Sequence, residues 1–279
     1  MKKLDGKKVA QKIKNNLKLE LNEIKNQTNK TPHLIVFQYG KDKASKKYAQ
    51  RIKKNCKEFG IGFDYKQIIA EPNKFKLSLE KANENDNISS IMVQQPLPKN
   101  LEHYLELINP QKDIEGITSN SLGKLLLGLD TLIPATAEAC LEILNYYQIK
   151  LSGKRAVVLG RSNIVGKPVS ILLQQENATV TMCHSKTNNL EWELKNADIV
   201  IVAIGQAEII KAEMLSENSI IIDVGTNFIN GKLLGDVDFK SAANKVKMIT
   251  PVPGGVGTVT NQVLMRNIVK SFKKLNNIK

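Results

Sequence analysis

The sequence predicts a two-domain α/β protein whose sheets are parallel. Three observations carry that expectation. Short β-branched runs alternate with stretches of helical apolar periodicity, which is the pattern of strand–helix–strand units. The 279 residues, 42% hydrophobic and 24% charged, suffice for two modest cores. The alternation loosens into turns over residues 110–128 and then resumes, which marks a boundary between two α/β halves.

Val9, Ile13, Leu17, Leu21 and Ile24 recur at helical spacing, so residues 7–25 form an amphipathic helix with lysines on its wet side. The run 34–37 (LIVF) is a buried strand ending at Gly40. Residues 44–59 form a second helix closed by Gly60 at its C-cap. A strand over 62–70, a helix over 74–85, a strand over 88–94 and a helix over 101–108 complete the first half. A helix over 135–147 leads into the second half, whose strands are 155–159, 179–183, 198–203 and 220–224. These four make a Rossmann-like sheet. The run 250–257 (TPVPGGVG) is expected to stay non-helical, and Val263, Leu264, Asn267, Ile268 and Phe272 mark a terminal helix. The expected domains are 1–118 with 260–279, and 119–259.

Composition excludes several classes. No apolar run is long enough for a bilayer, and the first residues, MKKLDGKKVAQ, lack a signal-peptide core, so a cytoplasmic protein with no membrane partner is expected. Cys56, Cys140 and Cys183 are odd in number and unpaired in spacing, and with three histidines neither a disulfide framework nor a metal site is expected. The net charge of +14 is concentrated in residues 1–60, which hold 17 Lys or Arg against 5 Asp or Glu. No DNA-binding motif or aromatic single-strand platform accompanies it, so no nucleic-acid partner is expected. A solvated lysine-rich surface accounts for the charge more simply than an anionic ligand does.

The segment 157–168 (VVLGRSNIVGKP) runs from a strand through a glycine turn into a helix. Such a junction offers free backbone N–H groups and the positive end of a helix dipole, which suit a phosphate. Its spacing, Gly160-x-Ser162-x-x-x-Gly166, departs from the usual G-x-G-x-x-G, so a tight turn without ligand fits the glycines as well. At the end of the second strand, Cys183-His184-Ser185 carries no carboxylate to hold ribose hydroxyls. Arg161, Ser162 and Ser185 instead suit a 2′-phosphate, so NADP is favoured over NAD. His184 is expected to be a satisfied loop histidine.

Several unusual motifs occur together: Ser45-x-x-Tyr48 with Cys56 and Gly60, Val93-Gln-Gln-Pro-Leu-Pro98, Lys112-Asp-Ile-Glu-Gly116, the 160–168 turn, Asp223-Val-Gly225, Gly235-Asp-Val-Asp238 and the 250–257 run. In these the chain resembles, nearly end to end, the bifunctional methylenetetrahydrofolate dehydrogenase/methenyltetrahydrofolate cyclohydrolases. The resemblance implies an N-terminal folate-side domain, a Rossmann-like NADP domain, a cleft between them, and a homodimer. It implies NADP-dependent oxidation of 5,10-methylenetetrahydrofolate and hydrolysis of the product to 10-formyltetrahydrofolate, in one-carbon metabolism that serves purine biosynthesis. By the same resemblance, Tyr48, Gln94 and Glu115 are catalytic and contact the folate, and Pro253, Gly254 and Gly255 line its site. Gly160, Arg161, Ser162, Ser185 and Thr226 would contact NADP. Folates carrying glutamate tails are a conjectured partner of the basic N-terminal half.

Four positions depart from the family pattern. Ile52 stands where Tyr-x3-Lys-x3-Cys-x3-Gly has its lysine, and the register of Tyr48, Cys56 and Gly60 fixes the assignment. Lys53 lies about 100° further around the helix and is no replacement. Glu115 replaces an aspartate, alanines 135, 137 and 139 fall in a usual Pro-Cys-Thr-Pro-x-Gly, and Thr258 replaces a proline. The alanines fit ordinary drift. Isoleucine can neither donate a hydrogen bond nor relay a proton, so weak or absent cyclohydrolase activity with retained NADP binding is expected. A monofunctional dehydrogenase and a catalytically weak NADP- or folate-binding homologue remain alternatives.

Overall fold

The computed structural model describes residues 2–278, which divide into two compact units: residues 14–133 with 264 onward, and residues up to 13 with 134–263. In chain order the elements are β1 (Lys2–Lys3), α1 (Gly6–Thr28), β2 (His33–Tyr39), α2 (Lys43–Phe59), β3 (Gly62–Ile68), α3 (Pro72–Glu84), β4 (Ser90–Val93), a 3-10 helix (Lys99–Leu107), α4 (Ser119–Leu126), α5 (Ala135–Tyr146), β5 (Arg155–Leu159) and α6 (Gly166–Gln175). There follow β6 (Thr179–Cys183), α7 (Leu190–Lys195), β7 (Ile199–Val202), a 3-10 turn (Ala212–Met214), β8 (Ile220–Asp223), β9 (Asn227–Ile229), β10 (Lys232–Leu234), α8 (Phe239–Ala242), β11 (Met248–Ile249) and α9 (Val256–Leu275).

The first unit is built on a three-stranded parallel sheet in the order β3-β2-β4. Its core gathers Phe37, Ile68, Phe75, Leu79, Ile91 and Val93, with Phe37 and Phe75 edge to face. Helix α2 begins at Asp42, whose carboxylate accepts the Ser45 N–H at 2.6 Å, and ends at Gly60 in the left-handed region (φ +67°), the cap the sequence predicts. Two expectations need correction. The 101–108 segment is 3-10 rather than α, and the stretch expected to be turns contains α4. Thr118 caps α4 by accepting the Ser121 N–H; its Ser, Asn and Gly content hides a helix that the cap stabilises.

The second unit carries a six-stranded sheet, β1-β11-β8-β7-β5-β6, with every pairing parallel. The expected four strands are there, and β1 and β11 extend them. Each of these two is two residues long, too short to leave a period in the sequence. Pairing of Lys2–Lys3 with Met248–Ile249 places the first residues in this sheet, whereas they were expected with the folate-side domain. A hairpin of β9 and β10, turning through Asn230 and Gly231 at positive φ, was likewise not anticipated. Helix α9 begins at Val256, so the end of the glycine run expected to be non-helical is its first turn.

Candidate functional site

Helix α2 buries Ser45, Ala49, Ile52, Cys56 and Phe59 as one stripe, and Tyr48 sits half-buried on the flank of that stripe. Ile52 follows Tyr48 by one helical turn and is completely buried (0% exposed), so the lysine position is aliphatic and dry. Lys53 is exposed. It lines a surface cavity of about 180 Å³ with Lys46, Ala49, Gln50, Phe63 and Tyr65, on a flank that does not include Tyr48. The Cys56 thiol is pushed up to about 12 by burial, which leaves it a packing group.

The Lys112–Gly116 loop separates into structural and free members. Lys112 is buried, and its ammonium donates to the carbonyls of Ala82 (3.2 Å), Asn83 (2.7 Å) and Asn85 (2.9 Å), closing the C-terminal end of α3. Asp113 accepts from the Ile117 and Thr118 amides and from Ser121 Oγ at 2.8 Å, fixing the start of α4. Glu115 remains. Its Oε2 is sealed from solvent without a hydrogen-bond partner, and burial, then the Asp113 charge, push its carboxyl up to about 8 against the pull of the Val93 amide. The Glu115 charge reaches Tyr48: burial and then that charge hold the phenol well above its usual value, opposed by Arg51. Gln94, one residue past Val93, is buried at the end of β4. Its backbone N–H bonds Phe37 O at 2.8 Å, while its side-chain amide meets only the Met92 sulfur, at 3.9 Å. Tyr48, Gln94 and Glu115 thus belong to one unit.

In the second unit, β5 leads into Gly160 at φ +110°, where an added Cβ would lie 2.2 Å from the Ala203 carbonyl oxygen. A Cβ on Gly166 would meet the Gly160 carbonyl at 2.1 Å, so the two glycines let helix α6 start against the strand. Ser162 Oγ accepts the Val165 N–H at 3.2 Å and the Gly166 N–H at 3.5 Å. Arg161 is exposed and has neither hydrogen bond nor ion pair among the described residues. Leu159 pairs with Cys183, which places Arg161 and Ser185 two residues beyond a matched pair on neighbouring strands. Thr226 is exposed just past β8 of the same sheet. All these residues lie at the carboxyl ends of parallel strands, where open α/β sheets bind ligands. His184 is engaged locally: its Nδ1 accepts the Lys186 N–H at 3.2 Å and its own N–H bonds Thr187 Oγ1 at 2.9 Å.

The Asp223-Val-Gly225 and Gly235-Asp-Val-Asp238 motifs interlock. Asp223 accepts the amides of Gly225 (2.9 Å), Asp236 (3.0 Å) and Val237 (3.0 Å), and Asp236 Oδ2 accepts those of Ile204 and Gly205. Burial pushes Asp223 up to about 6 despite those donors. The Pro253-Gly254-Gly255 turn is braced by Gly6, whose N–H bonds Gly254 O at 2.9 Å and whose missing Cβ makes room for the Gly255 carbonyl. Gly6 escaped the sequence argument, because a glycine just before an amphipathic helix resembles an ordinary cap. Among the described residues no group of His, Cys, Asp and Glu is placed to hold a metal, and no helix is long and apolar enough to cross a membrane.

Comparison with known proteins decides what these two units are. The pattern of the tetrahydrofolate dehydrogenase/cyclohydrolase catalytic domain matches residues 4–115, and that of the same family's NAD(P)-binding domain matches residues 134–276. This chain belongs to the tetrahydrofolate dehydrogenase/cyclohydrolase family. It is 43% identical to the bifunctional protein FolD of Lactobacillus acidophilus over 277 residues, covering 98% of each chain. It is 45% identical to that of Bacillus pumilus over 276 residues, covering 97% of each. Among solved structures, the FolD methylenetetrahydrofolate dehydrogenase/cyclohydrolase of Campylobacter jejuni superposes with a TM-score of 0.95 at 38% identity, covering 98% of this chain and 99% of that one. The Trypanosoma brucei enzyme, solved with NADP and an inhibitor, gives 0.92 at 33% identity over 97% of this chain and 96% of that one.

Proposed function

We propose that this protein oxidises 5,10-methylenetetrahydrofolate with NADP and hydrolyses the methenyl product to 10-formyltetrahydrofolate, the second step slowly. Membership of the family over both units supports the pair of reactions, since the relatives in Lactobacillus and Bacillus are named bifunctional. The observation that carries the cofactor assignment is the unpartnered Arg161 guanidinium at the carboxyl end of β5. No carboxylate follows β6 to compete for a ribose, and Ser162 and Ser185 flank the turn. NADP, when bound, supplies the hydride acceptor. The chain's own residues then have distinct tasks: Arg161, Ser162, Ser185 and Thr226 hold the cofactor, Gly160 keeps the turn close to β7, and Tyr48, Gln94 and Glu115 hold the folate.

Oxidation depends chiefly on holding the folate against the nicotinamide, whereas hydrolysis needs an activated water and a proton donor. A dry isoleucine at position 52 therefore weakens the second reaction more than the first. The same observation favours a dehydrogenase-only enzyme as the second reading. We further propose a cytoplasmic homodimer serving purine biosynthesis, with glutamate-tailed folates as substrates of the basic N-terminal half. Assaying purified protein for both reactions tests the proposal: NADP-dependent oxidation with hydrolysis well below it is expected. Hydrolysis matching oxidation would refute the assigned consequence of Ile52.

A further inference from the structure

Helix α2 carries a second stripe beside its buried one. Lys46, Ala49, Gln50 and Lys53 follow the i, i+3, i+4, i+7 spacing of a single helix face. On β3, Phe63 and Tyr65 are two residues apart and share one face of the strand, and stripe and strand meet around the cavity of about 180 Å³. Asp64, between the two rings in sequence, points to the other face, where its carboxylate lies 3.0 Å from His33 Nε2. The lining residues therefore include two cations and no acid. Among the described residues the Lys46 and Lys53 ammoniums and the Gln50 amide have neither hydrogen bond nor ion pair, whereas Lys14 and Lys18, on α1, share Glu58. Neither of the two ammoniums lies over an aromatic ring, and the half-buried Phe63 and Tyr65 rings stack on no other. The Tyr65 wall is nevertheless fixed. Its hydroxyl donates to Oε1 of the buried Gln38 at 2.5 Å, and Gln38 Nε2 donates to the Asp42 carbonyl at the start of α2 at 2.9 Å.

We propose that this cavity between α2 and β3 is a further ligand site, built from none of the residues assigned to folate or NADP, and that it takes a small aryl carboxylate. Lys46 and Lys53 stand on one wall without counter-ions, so they repel each other and attract an anion placed between them. Gln50, on the same face, adds an uncharged donor, and the small Ala49 keeps the middle of the helical wall open. Opposite them, Phe63 and Tyr65 offer unstacked rings to a planar ring. An inorganic anion would leave those rings unused, and a neutral ring would leave the ammoniums without partners. Size narrows the class further, because sites for drug-sized molecules run from about 300 to 1,000 Å³. One ring bearing one carboxylate fits here; a nucleotide or a whole folate does not. The tie from Tyr65 through Gln38 to the start of α2 holds strand wall and helix wall together before any ligand arrives, which lowers the cost of ordering on binding.

The test titrates the full-length protein with benzoate, followed by ligand-observed NMR and calorimetry, with benzamide and cyclohexanecarboxylate as probes that keep only the ring or only the charge. Benzoate should saturate one site per chain with a Kd of about 1 mM or lower, more weakly as salt is added, and each control probe should bind at least about fivefold more weakly. The double variant Lys46→Gln/Lys53→Gln changes two exposed, unpartnered side chains, so it should melt as wild type does and bind benzoate about 10-fold more weakly. Phe63→Leu should lose about fivefold. Repeating the titration on protein saturated with NADP and tetrahydrofolate separates this site from theirs, and benzoate binding should persist there undiminished. No saturation by about 10 mM benzoate, equal binding of either control probe, full affinity in the double lysine variant, or displacement of benzoate by NADP or tetrahydrofolate would each overturn the proposal.

Discussion

Asp223 holds the backbone amide of Asp236 at 3.0 Å, across the chain turn that separates β8 from the Gly235-Asp-Val-Asp238 segment. One carboxylate thereby gathers three buried N–H groups, and its motif neighbour Gly235 lacks a Cβ because that atom would lie 1.9 Å from Asp223 Oδ2. Asp223→Ala leaves three donors unpartnered at about 1–3 kcal/mol each, although water entering the vacated space recovers part of that. A loss of about 3 kcal/mol in urea unfolding is expected, together with weaker NADP binding under the proposed assignment of Thr226, three residues on. Unchanged stability would show that the motif is not a brace.

Lys112→Met tests the second structural assignment within a motif. The methionine fills similar volume but leaves the Ala82, Asn83 and Asn85 carbonyls without the ammonium at the end of α3. A stability loss of about 2–3 kcal/mol is expected, read as a lower urea midpoint at unchanged slope. A variant as stable as wild type would mean that solvent satisfies those carbonyls.

The cofactor assignment makes Arg161 a discriminating residue with little role in the fold, because it is exposed and unpartnered. Arg161→Ala should therefore leave the melting temperature within about 1 °C and weaken NADP binding by about 30- to 100-fold. NAD binding should barely change. Equal losses for both cofactors in titration calorimetry would place the guanidinium elsewhere than at a 2′-phosphate.

Much of this was legible in the sequence, for identifiable reasons. The strands 155–159 and 179–183 were bounded correctly because short runs rich in β-branched residues are closed by turn residues on their C-terminal side. The Gly60 cap and the helix start at Gly166 rested on equally local signals. Two-residue strands such as β1 and β11 carry no period, so the outer two strands of the six-stranded sheet were invisible, and with them the placement of the first residues. Helix α4 was hidden by Ser119, Asn120 and Gly123, whose intrinsic preference a cap at Thr118 overrides. The motifs marked out the candidate site but did not separate its free groups from its braces. Lys112, Asp113, Asp223 and Asp236 look as chemical in sequence as Glu115 does, and only their hydrogen bonds show that they are occupied.

Glu115 also leaves a signature in stability. Its carboxyl titrates near 4.5 in an unfolded chain and near 8 in the fold, so the folded state binds the extra proton between those values. By linkage, wild-type stability falls as pH rises from about 4.5 to 8. Glu115→Gln removes this slope, whereas the contribution of Asp223, raised to about 6, is present in both proteins and cancels in the difference. Relative to wild type, the variant should gain about 2 kcal/mol from pH 5 to pH 9 once partial exposure of the residue is allowed for. Thermal melts across that range check it; parallel curves for the two proteins would show that Glu115 ionises normally.

Ile52→Lys carries the remaining prediction because it opposes two effects at one residue. Placing an ammonium where the side chain is 0% exposed costs desolvation, offset in part by the lysine's length, so the melting temperature should fall by several degrees. The same ammonium supplies the hydrogen-bond donor and proton relay that isoleucine lacks. Hydrolysis should rise by about 10- to 100-fold while oxidation changes little, because hydride transfer depends on holding the reactants in place rather than on a proton donor. The split between the two rates is the decisive measurement. A less stable enzyme with both rates unchanged would show that position 52 governs packing alone, and that any slowness in hydrolysis arises from another departure, with Glu115 the first to suspect.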